Sequence, residues 1–202
     1  MLGCLLSAHL LSIVLPTLSG REQTRARAIA SYQDTLDVPY EIIVVLDGKT
    51  WPAACNEGYE KSKGDIILFT SDDLEALPGW YDRIPSFFAE HDELPAPRVY
   101  NFLPPPDGEW DNSEDGPDGA ITHFTRIPIM TRSQWERIGR WPDDLIYYAD
   151  LWVSEKGRSM GIETRMVHGF DFIHHWSGIK RVDSRANLDA SGQMLKLLRE
   201  EF

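Results

Sequence analysis

Gly64-Asp65-Ile66-Ile67-Leu68-Phe69-Thr70-Ser71-Asp72-Asp73 is the stretch that decides the fold. Its apolar run, Asp65 to Thr70, ends abruptly in a serine and two carboxylates. Continuous β-branched runs of this length suit strands buried on both faces, the signature of a parallel sheet. Two earlier stretches have the same form. Leu10-Leu11-Ser12-Ile13-Val14-Leu15 stops at Pro16, and Glu41-Ile42-Ile43-Val44-Val45-Leu46 stops at Asp47-Gly48. Helix-length segments, Glu22 to Gln33 and Pro52 to Ser62, lie between them. Strand–helix–strand–helix–strand is the α/β pattern, which predicts a mostly parallel sheet flanked by helices with right-handed crossovers.

Further on, Trp80, Ile84 and Phe87 at helical spacing predict a helix after Pro78-Gly79, and Val99 to Leu103 reads as a strand. Pro104 to Gly119 holds six acids, no base and four prolines, the composition of an exposed loop. Ile121 to Met130 reads as a strand. Ser133 and Glu136 fit a capping box opening a helix that ends at Gly139. Asp150 to Met160 reads as a helix closed by Gly161, Phe170 to Trp176 as a strand, and Leu188 to Phe202 as a C-terminal helix. No repeat or linker divides the chain, so one domain over 1–202 is expected.

The 202 residues carry 20 Lys+Arg against 32 Asp+Glu, a net charge of −12. That balance argues against a duplex-coating protein, because counterion release requires clustered basic side chains. With 42% hydrophobic and 26% charged residues, the composition excludes wholesale disorder. No run approaches the ~20 apolar residues of a membrane span. Met1 to Leu18 is apolar like a signal peptide but lacks a basic n-region and a small-x-small cleavage site, and cleavage near Gly20 would remove the first strand. Cys4 and Cys55 imply no disulfide framework. A soluble cytoplasmic protein is the expectation.

In open α/β sheets, ligands bind in the crevice outside the carboxyl ends of the strands. Here those ends present Pro16-Thr17, Asp47-Gly48 and Ser71-Asp72-Asp73, a polar, acidic rim over an apolar sheet. Asp47 suits a ribose or base, and the Asp72-Asp73 pair suits Mg²⁺ or Mn²⁺, with substrate phosphates completing the shell.

In order, Leu11–Thr17, Tyr40–Gly48, Asn56-Glu57-Gly58, Gly64–Asp73 and Pro78-Gly79-Trp80 make this chain resemble the family 2 glycosyltransferases of GT-A fold. The resemblance is close from Leu11 to about Ile84 and looser to about Trp176. It implies a nucleotide-sugar-binding half over about 10–100 and an acceptor half over about 120–180, with a C-terminal helix over 185–202. It also implies nucleoside contacts from Thr17 and Asp47, a pocket shaped by Asn56 and Gly58, and a metal at Asp72 and Asp73, with Asp73 the direct ligand. Where the family has Asp-Asp-Gly-Ser, this chain has Leu46-Asp47-Gly48-Lys49. Where it has a Glu-Asp pair opening a helix, this chain has Ala149-Asp150, which leaves Asp150 as the general base. His174-His175 stand where the family has a late histidine that often ligates the metal. Adjacent strand residues point to opposite faces, so only one of them can enter the site, and His174 is favoured. Lys180 and Arg181 follow on a loop suited to the diphosphate.

Asp111-x-Ser113-x-Asp115-Gly116 echoes an EF-hand opening, but position twelve is Thr122, which argues against calcium. Trp135 and Trp152 read as core, whereas Trp110 and Trp176 read as acceptor contacts. The resulting expectation is a Mn²⁺- or Mg²⁺-dependent inverting transfer of a hexosyl or related sugar from a nucleotide-diphosphate donor to a glycan, protein or lipid-linked hydroxyl. A partner or second copy would complete the acceptor side of so short a chain. Two rivals use the same rim. A nucleotidyltransferase would need a richer basic loop than Leu18-Ser19-Gly20-Arg21, and a degenerate sugar-nucleotide or glycan-binding module would explain the missing Glu at Ala149.

Overall fold

The computed structural model describes residues 9–101, 109–110, 117–146 and 148–175, together with 192 and 196. The three apolar runs form β1 (Leu11–Thr17), β2 (Tyr40–Leu46) and β3 (Ile66–Phe69), separated by α1 (Glu22–Thr35) and α2 (Trp51–Lys61). β1 pairs in parallel with both β2 and β3. All seven residues of β1 are buried, and the strand alternation explains why. Leu11, Ile13 and Leu15 pack with Ala28 and Tyr32 of α1, while Val14 packs with Cys55 of α2 on the opposite face. Gly58 lets α2 lie close against β1, since a Cβ there would stand 2.2 Å from Val14 Cγ1.

After β3 the chain makes β4 (Leu74–Ala76), α3 (Ile84–Glu90), β5 (Leu94–Asn101) and β6 (Glu109–Trp110). It continues through β7 (Ile129–Thr131), α4 (Arg132–Ile138), α5 (Ala149–Ser159) and β8 (Thr164–His174). The strands form two four-stranded sheets, β2-β1-β3-β7 and β4-β8-β5-β6. In the second, β4 runs antiparallel to β8 and β5 runs parallel to it. The β5–β8 register shifts between Ala96 and Arg98, with Gly169 at φ 92° in the displaced stretch of β8. Just past the shift, the Arg98 guanidinium donates to the Asp171 carboxylate, Nε to Oδ1 at 2.7 Å.

Several sequence expectations are corrected here. Ile121 to Met130 is not one strand: Ile121 makes an isolated bridge to Arg165, and only Ile129–Thr131 is regular strand. The helix read as opening at Ser133 begins two residues earlier. Thr131, the last residue of β7, is its N-cap, and the capping box is completed by Gln134 rather than Glu136. The strand read at Val99 to Leu103 already starts at Leu94. Trp135 and Trp152 are core residues, 2% and 7% exposed, as the sequence indicated. Cys55 is buried, and burial pushes its thiol pKa well up. The proposed C-terminal helix, the EF-hand-like segment 111–116 and Cys4 lie outside the described residues or are touched only at isolated positions. Among the described residues, no helix is long and apolar enough to cross a membrane.

Candidate active site

The carboxyl ends of β1, β2 and β3 are tied together by side chains of the loop that leaves β1. Ser19 donates from its amide and its hydroxyl to Asp47, at 2.8 and 2.6 Å. These hydrogen bonds hold the Asp47 carboxyl below the usual carboxylate range. Asp47 itself is exposed and adopts a left-handed backbone, φ 54°. Thr17 Oγ1 donates to Asp72 Oδ2 at 2.5 Å, so the ends of β1 and β3 meet directly. Pro16 is buried within β1, opposite Val45.

Asp72 is held more tightly still. Arg21, at the entrance to α1, grips it with two bonds, Nε to Oδ2 at 2.6 Å and Nη2 to Oδ1 at 2.5 Å. Both side chains are largely withdrawn from water, 12% and 6% exposed. The same Nη2 lies 3.7 Å from Asp73 Oδ2. Asp73 Oδ1 accepts from Ser71 Oγ at 2.5 Å, and its Oδ2 lies 3.6 Å from His174 Nε2.

Strand pairing brings His174 to this place. β8 ends at His174, which sits opposite Leu74, the residue after Asp73, and the His175 amide donates to the Asp73 carbonyl at 2.8 Å. The next side chain goes elsewhere: His175 Nε2 is hydrogen-bonded to Glu75 Oε2 at 2.7 Å. The alternation expected of a strand end is therefore visible in the partners of the two imidazoles.

Ser71 and His174 line a cleft of about 280 Å³, together with Arg126 and Asp150. A second lobe of about 210 Å³ shares Ser71, Leu74, Arg126 and Asp150 with it and is floored by Trp51 and Phe69. Trp51 is fixed by its indole N–H, which donates to the Thr70 carbonyl at 2.9 Å. Asp150 is in the first turn of α5, and its Oδ1 accepts from the Leu151 amide at 2.9 Å. The start of that helix is anchored by Trp141, whose indole donates to the Ala149 carbonyl at 2.8 Å. Burial pushes the Asp150 pKa up, and the hydrogen bonds at the helix start and the nearby Arg126 charge offset this only in part. Arg126 has a left-handed backbone, φ 57°, and its guanidinium carbon lies 5.4 Å from the centre of the Phe124 ring. A non-glycine residue held at positive φ in a cleft is a local strain that its surroundings must support.

Of the residues singled out in the sequence, the structure therefore brings together Thr17, Asp72, Asp73 and His174, with Asp150 lining the same cleft as His174. Asn56 is buried and donates to the Trp141 carbonyl and to Asp143 Oδ1, at 2.9 and 2.8 Å, which ties α2 to the segment before α5. Gly58 faces Val14. Trp110 lies in β6, paired with Tyr100. Lys180, Arg181 and Trp176 lie outside the described residues. Sequence reasoning missed Arg21, which it weighed only as part of a phosphate loop, and Arg126, hidden in a stretch read as strand. The one signal for Arg21 was a base at the mouth of the first strand, on the rim that also carries the acids.

Whether the donor set fits a metal can be judged from the oxygens that remain. Both Asp72 oxygens accept hydrogen bonds from Arg21 and Thr17, which leaves that carboxylate little capacity for a metal. Asp73 Oδ2 and His174 Nε2 are better placed, since 3.6 Å is short enough for one cation roughly 2 Å from each. Among the described residues, no group of three or more His, Cys, Asp and Glu side chains is arranged around a metal. Two protein ligands with the remainder from water and phosphate is a normal shell for Mg²⁺.

No protein-family model matches the chain, and no curated protein matches it in sequence. Its backbone does match solved structures. The crystal structure of GalNAc-T7 with UDP, GalNAc and Mn²⁺ superposes with a TM-score of 0.70 at 13% identity, over 94% of this chain. The fold is that of the GT-A glycosyltransferases. S. aureus TarS shares it, with a TM-score of 0.66 over 83% of this chain at 13% identity, and its 1–349 fragment gives 0.67 over 82% at the same identity. The chain spans 48% of the GalNAc-T7 structure, 37% of TarS and 60% of the fragment, so the GT-A fold is shared over part of each neighbour.

Proposed function

We propose that this protein transfers a sugar from a nucleotide-diphosphate donor to an acceptor hydroxyl, with inversion, as an enzyme of the family 2 type. The observation that carries this reading is the approach of Asp73 to His174, which lines a cleft that also holds a half-buried carboxylate, Asp150. The GT-A fold, and a neighbour crystallised with UDP, GalNAc and Mn²⁺, support it.

In this reading, residues 10–100 bind the donor, with Thr17 and Asp47 on the nucleoside side, and residues 120–180 serve the acceptor. Asp73 and His174 would hold Mn²⁺ or Mg²⁺, and the chemistry supplied there is Lewis-acid neutralisation of the diphosphate. The acceptor oxygen forms its bond to the anomeric carbon as the carbon–oxygen bond to the diphosphate breaks, and the diphosphate leaves with the electron pair. Asp150 takes the acceptor's proton. Its surroundings suit a base: desolvation raises its proton affinity, while Arg126 favours the ionised form that must begin the reaction. Trp51 and Phe69 give the adjoining part of the cleft an apolar lining.

A second reading, a binding module without turnover, is favoured by Ala149 standing where a glutamate would pair with Asp150. One experiment separates the two. In a thermal-shift screen of UDP-, GDP-, dTDP- and CDP-sugars with Mn²⁺, one nucleotide class raises the melting temperature, since a ligand at 100 times its Kd adds about 2.7 kcal/mol to folded-state stability. Chromatography of the same mixtures with acceptor, or with water alone, then shows release of the nucleoside diphosphate. A shift without release leaves the binding module, and no shift with any donor contradicts both readings.

A further inference from the structure

We propose that Arg21 is a built-in counter-cation that makes divalent-cation binding at Asp73 and His174 conditional on the nucleotide diphosphate. The inference rests on the reading of Asp73 and His174 as cation ligands and goes beyond it, because Arg21 had no role in that reading.

Two independent observations carry it. The first is where the guanidinium sits. It bonds to both oxygens of Asp72 at 2.5 and 2.6 Å and reaches within 3.7 Å of Asp73 Oδ2, the oxygen that faces His174. A positive charge thus already lies between the two carboxylates, withdrawn from solvent and therefore weakly screened. It cancels one of the two negative charges that would draw in a metal ion, and it repels that ion at close range. The second observation is the shortage of donors. Most of the acceptor capacity of Asp72 is taken by Arg21 and Thr17, and among the described residues no third His, Cys, Asp or Glu joins Asp73 and His174. Neither charge nor ligand number supports a cation alone.

A diphosphate changes both. Its oxygens complete the coordination shell, and its charge is attracted by the guanidinium that opposed the bare cation. Arg21 therefore weakens the cation on its own and strengthens the cation–diphosphate pair. Linkage requires reciprocity: whatever factor UDP adds to Mn²⁺ affinity, Mn²⁺ adds to UDP affinity, and such couplings typically run about 5–150-fold. A salt bridge that only held β3 to the start of α1 would produce no such difference.

The test is calorimetry of Mn²⁺ alone, UDP alone and each in the presence of the other. In the wild type, Mn²⁺ binds at least about tenfold more tightly with UDP than without. Arg21→Gln binds Mn²⁺ alone at least about tenfold more tightly than the wild type, and the coupling to UDP shrinks. Because Arg21→Gln leaves Asp72 without its cationic partner, Asp72→Asn serves as a second probe, which keeps one oxygen able to accept from Thr17 Oγ1 and Arg21 Nε. It strips the guanidinium of its counter-charge, so UDP alone binds more tightly and Mn²⁺ alone more weakly. Folding of each variant is followed by circular dichroism. Unchanged Mn²⁺ and UDP affinities in the folded variants overturn the role of Arg21. Absence of Mn²⁺ binding to the wild type even with UDP present overturns the cation reading itself, a separate outcome.

Discussion

On the proposed mechanism, Asp150→Asn should slow glycosyl transfer by roughly 10²–10⁴-fold and, at neutral pH, make the protein harder to unfold. The loss of rate is that of the proposed general base, the group assigned to take the acceptor's proton. The gain in stability follows from burial. Asp150 holds its proton more tightly in the folded chain than in the unfolded one, because desolvation penalises the carboxylate. Between the ordinary carboxylate pKa and this raised value, the folded state carries more protons than the unfolded state. Stability therefore falls as pH rises through that window, and above it the full cost is felt. Asparagine keeps the oxygen that accepts from the Leu151 amide and carries no charge, so the cost disappears. Melting curves of the two proteins should separate at pH 7, by about 2–4 °C for each kcal/mol recovered, and converge below the unfolded carboxylate pKa. A variant that retains full transfer activity removes Asp150 from the role of base, and a variant less stable at pH 7 refutes the desolvation argument.

Asp72→Ala produces the largest loss of stability expected from any single change at the rim. It leaves the Arg21 guanidinium largely withdrawn from water without its bidentate partner and removes the acceptor of Thr17 Oγ1. Breaking a buried ion pair from one side costs about 3–5 kcal/mol, and the lower end applies because Arg21 keeps an edge in solvent. That corresponds to a fall of roughly 6–12 °C in melting temperature for a chain of this size. Asp72→Asn also removes the charge but keeps the shape and one oxygen able to accept from Thr17 Oγ1 and Arg21 Nε, so it should lose less. Equal losses in the two variants would mean that charge rather than shape holds β1, β3 and the start of α1 together.

How much of this was legible in the sequence depended on whether the signal was local. β1, β2 and β3 could be read because each apolar run is unbroken, although only β1 and β3 are buried throughout; β2, at the sheet edge, leaves Val44 and Leu46 exposed. β4 could not, since Leu74-Glu75-Ala76 has no pattern of its own and is a strand only because β8 pairs with it. β8 itself is interrupted at Gly169, where the register shifts, so only its apolar end was apparent. The helix after β7 had two overlapping capping signatures, Thr131 with Gln134 and Ser133 with Glu136. The first prevailed because β7 delivers Thr131 in extended backbone, φ −70° and ψ 154°.

The same distinction holds at the site. Carboxylates immediately after a strand mark the rim in any α/β chain, so Asp47, Asp72 and Asp73 stood out. Strand alternation allowed only one of His174 and His175 at the rim, but which of them points toward Asp73 is set by the pairing of β8 with β4. The grip of Arg21 on Asp72 spans 51 positions, and that of Thr17 spans 55, distances over which one sequence carries no pairing signal. Asn56 illustrates the converse. A polar residue expected to face the nucleotide donates its amide to the Trp141 carbonyl and to Asp143, which no local pattern announces.

The central claim is that Asp73 and His174 grip the cation of a bound nucleotide diphosphate at a cleft served by Asp150. Its most direct test is anomalous diffraction at the manganese edge from crystals grown with UDP and Mn²⁺. The account predicts one strong peak between Asp73 Oδ2 and His174 Nε2, bonded to diphosphate oxygens, with Arg21 still on Asp72. Manganese bound away from Asp73, or a nucleotide lying outside the strand-end cleft, would contradict it.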